Sequence, residues 1–313
     1  MPSPPYRRSA PSGSARSAAP PRAASARLSS VLCLVALLAA GCGGADHSGD
    51  EGSAQDRFDA GRAFASIEEQ VAVGQRPAGS PELRALGEEL RTQLPDGRFE
   101  PVPGSLRNVV GTLPGPGPAI VVGAHYDTEA QPPGFVGAND GAAGTAAVLE
   151  LARVLEEELP EGHREVRLVL FDGEEEPPGC PEAEFQRCGL RGSRAYVAAH
   201  PAEVGEMILL DYVANDGLRI PREGNSDPAL WAELTAAADA VGASELFPGG
   251  EQAPVIDDHV PFLLAGVPAI DLIDFSYRYA DTVEDTPDKL DPTALDGVGE
   301  AVAELVVRLS ASP

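Results

Sequence analysis

The sequence has almost no lysine. Lys289 is the single lysine among 23 basic residues in a chain of 313, which also carries 49 acids and a formal net charge of −26. A chain so poor in basic groups cannot neutralise a phosphate backbone, which excludes an ordinary nucleic-acid binder. An anionic membrane surface would repel it for the same reason. Aromatic residues are scarce too, at 5%, while hydrophobic residues reach 43%. That mixture fits a globular protein of one large domain or two small ones. The acidic excess by itself is no more than a solvated surface and says little about fold.

The apolar run from Val31 to Ala40 is too short for a membrane span, which needs about 20 apolar residues. Its setting is that of a secretory signal over residues 1–41. Arg7, Arg8, Arg16, Arg22 and Arg27 precede it, no acid occurs, and small residues follow. Leu38-Ala39-Ala40-Gly41-Cys42 resembles a bacterial lipobox, with Ala39 where the pattern usually has Leu. The expectation is an extracytoplasmic protein, either a lipoprotein anchored through Cys42 or a secreted chain. Membrane contact is then expected only through that anchor. Residues 42–57, rich in Gly, Ser and acids, read as a flexible tether, and residues 58–313 as one domain.

Of four cysteines, Cys33 and Cys42 belong to the signal region. Cys180 and Cys188 remain, in a loop-like stretch. In an oxidising compartment they pair as one disulfide, the alternative being two free thiols.

Helical signals recur along the domain. Ser80-Pro81 is a cap followed by Leu83, Leu86, Leu90 and Leu94 on one face. Val148, Leu151, Leu155 and Leu159 follow Gly144. Asp227-Pro228 opens a helix with Leu230 and Leu234, and Leu295 to Leu309 forms the last stripe. Between them lie apolar runs of strand length at 108–113, 119–123, 166–171, 207–210 and 268–273. Such runs suit strands buried on both faces. Their alternation with helices predicts an α/β fold, a three-layer sandwich with a central mixed, mostly parallel sheet flanked by helices.

Each strand is followed by chemistry. His125-Tyr126-Asp127 follows the second run, Asp172-Gly173-Glu174-Glu175-Glu176 the third, and Asp211 the fourth, while Asn139-Asp140-Gly141 opens the Val148 helix. Ligands bind at the carboxyl ends of strands in such sheets. One His and several carboxylates, with no thiolate, are donors for zinc or a harder divalent ion. Any one of these pieces alone reads as a turn or an acidic loop. Together they point to one crevice, in which one carboxylate of the Glu174-Glu175 pair binds metal and its neighbour takes a proton from water.

The ordered set resembles metallopeptidase family 28, the zinc aminopeptidase group that includes the glutaminyl cyclases. The resemblance runs through Gly74-Gln75-Arg76-Pro77, Gly123-Ala124-His125-Tyr126-Asp127, Gly137-Ala138-Asn139-Asp140-Gly141, Phe171-Asp172-Gly173-Glu174-Glu175, Asp257-Asp258-His259 and Asp285-Thr286-Pro287-Asp288-Lys289-Leu290. It implies a zinc exopeptidase-like fold and two divalent ions, zinc by preference. Asp140 would bridge them, His125 and Asp211 completing one ion, Glu175 and Asp281 the other. Glu174 would be the general base, Asp127 would orient His125, and His259 would be supporting structure. The family has His where this chain has Asp281, which implies a second ion that is weaker or not zinc.

The function so implied is removal of N-terminal residues from peptides with a free N-terminus. Glutaminyl cyclase chemistry is the alternative, favoured by Asp257-Asp258-His259. Against it, the single cyclase metal corresponds to the ion at Asp140, Glu175 and position 281, and Ala280 stands where cyclases carry a Trp. A third alternative is a non-catalytic binding member of the same fold.

Overall fold

The computed structural model describes residues 56–311, and all but the Glu182 side chain within them. The expected signal segment, the lipidation site Cys42 and the tether as far as residue 55 lie outside the described residues. The chain is already docked at Arg57, whose Nε meets Glu300 Oε2 at 3.0 Å, while Phe58 N–H donates to Glu300 Oε1 at 2.7 Å.

Eight helices and six strands alternate among the described residues: α1 (Ala60–Ala72), α2 (Pro81–Gln93), β1 (Arg98–Val102), β2 (Leu106–Leu113), β3 (Ala119–His125), α3 (Gly144–Glu158), β4 (Val166–Phe171), α4 (Phe185–Cys188), α5 (Arg191–Ala199), β5 (Val204–Leu210), α6 (Pro228–Ala240), α7 (Val260–Leu264), β6 (Ala269–Leu272) and α8 (Pro292–Ser310). The capping signals act as the sequence suggests. Ser80 accepts from Leu83 N–H at the start of α2, and Asp227 accepts from Ala229 and Leu230 N–H at the start of α6.

The strands form one sheet in the order β1-β2-β4-β3-β5-β6. β1 pairs antiparallel with β2 and β2 with β4, whereas β4, β3, β5 and β6 run parallel. The sheet is therefore mixed and mostly parallel. β3 lies between β4 and β5, so the chain crosses from one side of it to the other, and the carboxyl ends of these strands frame a switch-point crevice.

Alternation along the strands separates two cores. Ile120, Val122, Leu168, Leu170, Ile208 and Leu210 face a large cluster with α1, α2, α3, α6 and α8. Val121, Val169, Phe171, Met207 and Leu209 face a smaller one with Tyr196 of α5 and Phe262 of α7. Both faces are covered, which explains the unbroken apolar runs. Each fully buried Leu, Ile or Val contributes about 1.5–3 kcal/mol of burial, and the layered cores hold the strand ends in register for the site.

Among the described residues no helix is long and apolar enough to cross a membrane. Cys180 and Cys188 form a disulfide with their Cα atoms 6.1 Å apart.

Candidate metal centre

Four loops at the strand ends converge. β3 delivers His125 and Asp127, the loop after β4 delivers Glu174 and Glu175, and β5 hands directly to Asp211. The fourth loop enters α3. Its helical path breaks at Asp140 (φ −85°, ψ 98°) and Gly141 (φ 88°, ψ −48°), which turns the Asp140 carboxylate off the helix axis. Gly141 is required twice over. Its φ lies in the left-handed region, and a Cβ there would come within 2.8 Å of Asp127 O and 3.2 Å of His125 Cε1.

His125, Asp127, Asp140, Glu174, Glu175 and Asp211 are all at most 3% exposed. His125 Nε2 lies 3.1 Å from Asp140 Oδ1 and 3.6 Å from Asp211 Oδ1. His125, Asp140 and Asp211 bring one donor atom each within 4.8 Å of one another, and so do His125, Glu174 and Glu175. A third such group, Glu129, Glu175 and Glu176, lies toward the surface, and none of the three includes Asp281. Asp281 instead accepts from the Tyr212 hydroxyl at 3.3 Å.

Asp127 acts on the glutamate pair. Its two carboxylate oxygens accept the backbone N–H of Glu174 at 3.2 Å and of Glu175 at 3.3 Å. It also stands 3.7 Å from His125 Nδ1, a contact longer than a hydrogen bond. His259 faces Glu223, with Nε2 3.2 Å from Oε2, and lies 3.6 Å from Asp271. It belongs to none of the donor groups.

Three supporting residues escaped the sequence-based set. Asp285 accepts the backbone N–H of Asn139 and Asp140 and the hydroxyl of Tyr277, pinning the backbone of the Asp140 loop. Arg76 is fully buried and donates to the carbonyls of Tyr126, Val136 and Gly137. Tyr212 donates to Asp140 Oδ2 at 2.6 Å. The first two sit inside recognisable motifs, whereas Tyr212 carries no local signal.

Electrostatics show what the cluster is suited to hold. Burial opposes the charge on His125, yet Asp127, Asp140 and Asp211 outweigh it and hold its pKa well above the ordinary imidazole value. Burial, then Asp140 and Glu174, push the Glu175 carboxyl well above the usual carboxylate range. Burial lowers the Arg76 pKa to about 10 against the pull of Asp140, Asp127 and Asp285. Buried carboxylates that raise one another's pKa in this way call for a cation. Both ring nitrogens of His125 and Oε1 of Glu175 are buried without a well-aligned hydrogen bond. The donor set therefore fits a divalent metal ion.

Comparison with known proteins agrees with this geometry. The chain is 28% identical over 241 residues to the glutaminyl-peptide cyclotransferase of Gloydius blomhoffii, a match covering 64% of each chain. The chain thus spans under two thirds of the length of that relative. Its structure is similar to a glutaminyl cyclase from an Acidobacteriales bacterium, with a TM-score of 0.70 and 28% identity over 87% of this chain and 99% of the other. It is also similar to a leucine aminopeptidase precursor from Bacteroides thetaiotaomicron, with a TM-score of 0.72 and 26% identity over 80% and 97%. The model of peptidase family M28 matches residues 108–306, from β2 through the loops that carry the donor residues into α8, and the chain belongs to that family.

Proposed function

We propose that the protein is a metal-dependent enzyme acting on the N-terminal residue of peptides outside the cytoplasm, and that its reaction is the cyclisation of N-terminal glutamine to pyroglutamate. The observation that carries this reading is the similarity to glutaminyl cyclases in both sequence and fold. It reverses the order suggested by the motifs alone, which put hydrolytic removal of the residue first.

In this reading the α-amine nitrogen attacks the side-chain amide carbon of the glutamine. The new C–N bond closes the ring, the C–NH2 bond breaks, and ammonia leaves. Glu174 takes the proton from the attacking amine and passes it to the leaving nitrogen. Asp127 fixes Glu174 through its backbone N–H. Asp140 and Glu175, the donors that the resemblance gives to the cyclase metal, would hold the ion with His125 and Asp211 beside them, and it would polarise the amide carbonyl. The Cys180–Cys188 disulfide supports an oxidising compartment.

An aminopeptidase reading is favoured by one specific observation. His125 and Asp211 gather on Asp140, the side of the site away from the one to which the resemblance assigns the single cyclase metal, and the leucine aminopeptidase precursor has a similar fold. Incubation of a glutamine-initiated peptide with the zinc-loaded protein, followed by mass spectrometry, separates the two. Loss of ammonia from an intact peptide supports cyclisation. Release of free glutamine supports the aminopeptidase, and no change in the peptide supports a binding protein.

A further inference from the structure

Residues 274–290 pack against the donor cluster through Asp281, which accepts the Tyr212 hydroxyl, and Asp285, which accepts Asp140 N–H. This segment carries positive charge in a molecule that has little of it. Lys289 is the only lysine of a chain whose formal net charge is −26. Its Nζ lies 5.3 Å from the centre of the Tyr279 ring, and the Arg278 guanidinium carbon lies 4.6 Å from the same centre. Both distances are those of cation–π attraction. Two cations thus share one half-buried aromatic ring.

Tyr279 leads back to the donors in two ring contacts. Its ring meets Tyr277 with centroids 5.7 Å apart, and Tyr277 meets Tyr212 at 5.6 Å. The Tyr212 hydroxyl donates to Asp140 Oδ2 at 2.6 Å. The backbone between these rings is tightly folded. Ala280 N–H donates to Tyr277 O, Thr282 N–H to Tyr279 O and Asp285 N–H to Thr282 O. Lys289 O in turn accepts Asp216 N–H. The backbone under both cations is therefore fixed beside the site.

The two cations are not equally free. Lys289 Nζ already pairs with Asp288, and Glu284 acts on it as well. Arg278 is exposed and pairs with no carboxylate among the described residues. Attraction to the ring engages its charge but leaves N–H donors of the fork, which match a carboxylate through two parallel hydrogen bonds. Elsewhere around the cluster the charge is negative, with Glu129 and Glu176 gathered beside Glu175. A peptide has the complementary polarity, an amine at its first residue and a carboxylate further on. An extended chain advances about 3.3–3.6 Å per residue. With its first residue at the donors, a peptide of a few residues reaches the Tyr279 ring.

We infer that Arg278, with Lys289 beside it, forms a cationic rim on Tyr279 that takes a carboxylate of the substrate, either the free C-terminus of a short peptide or an acidic side chain near the start of a longer one. This rests on the reading that peptides react here at their first residue, by either chemistry.

The test uses the full folded chain loaded with zinc and two matched pairs of peptides. Gln-Ala-Ala with a free carboxyl group is compared with its amide, and the amide of Gln-Ala-Asp with the amide of Gln-Ala-Asn. KM should be about fivefold lower for the charged member of at least one pair, as an exposed arginine–carboxylate contact supplies. The difference should fade at about 1 M salt. A preference in the first pair alone assigns the C-terminus, and one in the second alone an acidic side chain. Arg278→Gln should bring the ratio within the pair to about one, and Arg278→Lys should restore part of it, which loss of a merely structural contact would not do. The pyroglutamyl forms of the same peptides, which neither reaction consumes, give the ratio as dissociation constants even where no peptide reacts. Equal values within both pairs, or a preference that survives Arg278→Gln, would overturn the inference, and turnover with equal KM would leave the proposed function standing. Tighter binding of the charged forms without turnover of any peptide would remove the reaction at the first residue and leave the cationic rim.

Discussion

Asp285 accepts the backbone N–H of Asp140 at 3.1 Å, across 145 residues of sequence. Its carboxylate also accepts Asn139 N–H and the Tyr277 hydroxyl, so one buried side chain fixes the loop that presents Asp140 to the donor cluster. Replacing Asp285 by Ala should lower the unfolding free energy by about 2–3 kcal/mol, the cost of leaving buried donors unmet. Zinc affinity should fall with it. Urea unfolding and zinc titration of the variant check both, and an unchanged zinc affinity would show that the loop holds its shape without this anchor.

Chelation should destabilise the folded protein. Asp140, Glu174, Glu175 and Asp211 lie close together and buried, and a bound ion stabilises the native state by about 2.7 kcal/mol at 100 times its Kd. For a domain of this size that is a fall in Tm of about 5–10 °C. Thermal melts with and without chelator, then with zinc restored, measure it. Equal melting temperatures would argue against a resident metal.

Glu174→Gln should remove turnover by about 100-fold or more while the protein still binds zinc, because the amide keeps the shape but cannot take a proton. Product formation and metal content measured on one preparation check this. Full activity would exclude Glu174 as the base.

A pH effect is expected far from the crevice. Burial, with Asp56 and Glu300 adding repulsion, raises the Asp296 pKa from 3.8 to about 6. The native state therefore binds this proton more tightly than the unfolded chain, and its contribution to stability declines as pH rises from about 4 to about 6. Asp296→Asn should raise Tm at pH 8 and change it little at pH 4. A shift of equal size at both values would mean that the charge of Asp296 is not the cause.

Opening the Cys180–Cys188 bridge should cost about 2 kcal/mol, as expected for so short a loop. The stretch from Glu176 to Cys180 lines a pocket with Glu129, Ala130 and Gln131, beside Glu175. The Cys180→Ser/Cys188→Ser variant should therefore raise KM more than it lowers kcat. Steady-state kinetics on the glutamine peptide would show it, and an unchanged KM would place substrate elsewhere.

Much of this arrangement could be read from the chain alone, for identifiable reasons. Buried parallel strands give unbroken apolar runs, so β3, β4 and β5 were visible, and with them the residues their carboxyl ends present. β1 was not visible. Arg98, Glu100 and Pro101 dilute its pattern, and it lies at the sheet edge where charge and proline are tolerated. α5 was missed because it begins at Leu190 in a left-handed conformation, with no capping side chain to announce it. α1 was missed because its buried face, Ala63, Ile67 and Gln70, is small and partly polar. Tyr212 follows Asp211 as an ordinary aromatic. Its role depends on Asp140 and Asp281, 72 and 69 residues away, and only the folded sheet brings them together.

Arg76 gives the crevice a permanent guest. Its guanidinium, sealed in beside Asp127, Asp140 and Asp285, is a positive charge that no chelator can extract. A protein stripped of metal is then left with a partly balanced cradle rather than a bare knot of anions. It should wait in a shape ready for refilling, able to exchange its ion with the surroundings many times without having to fold again.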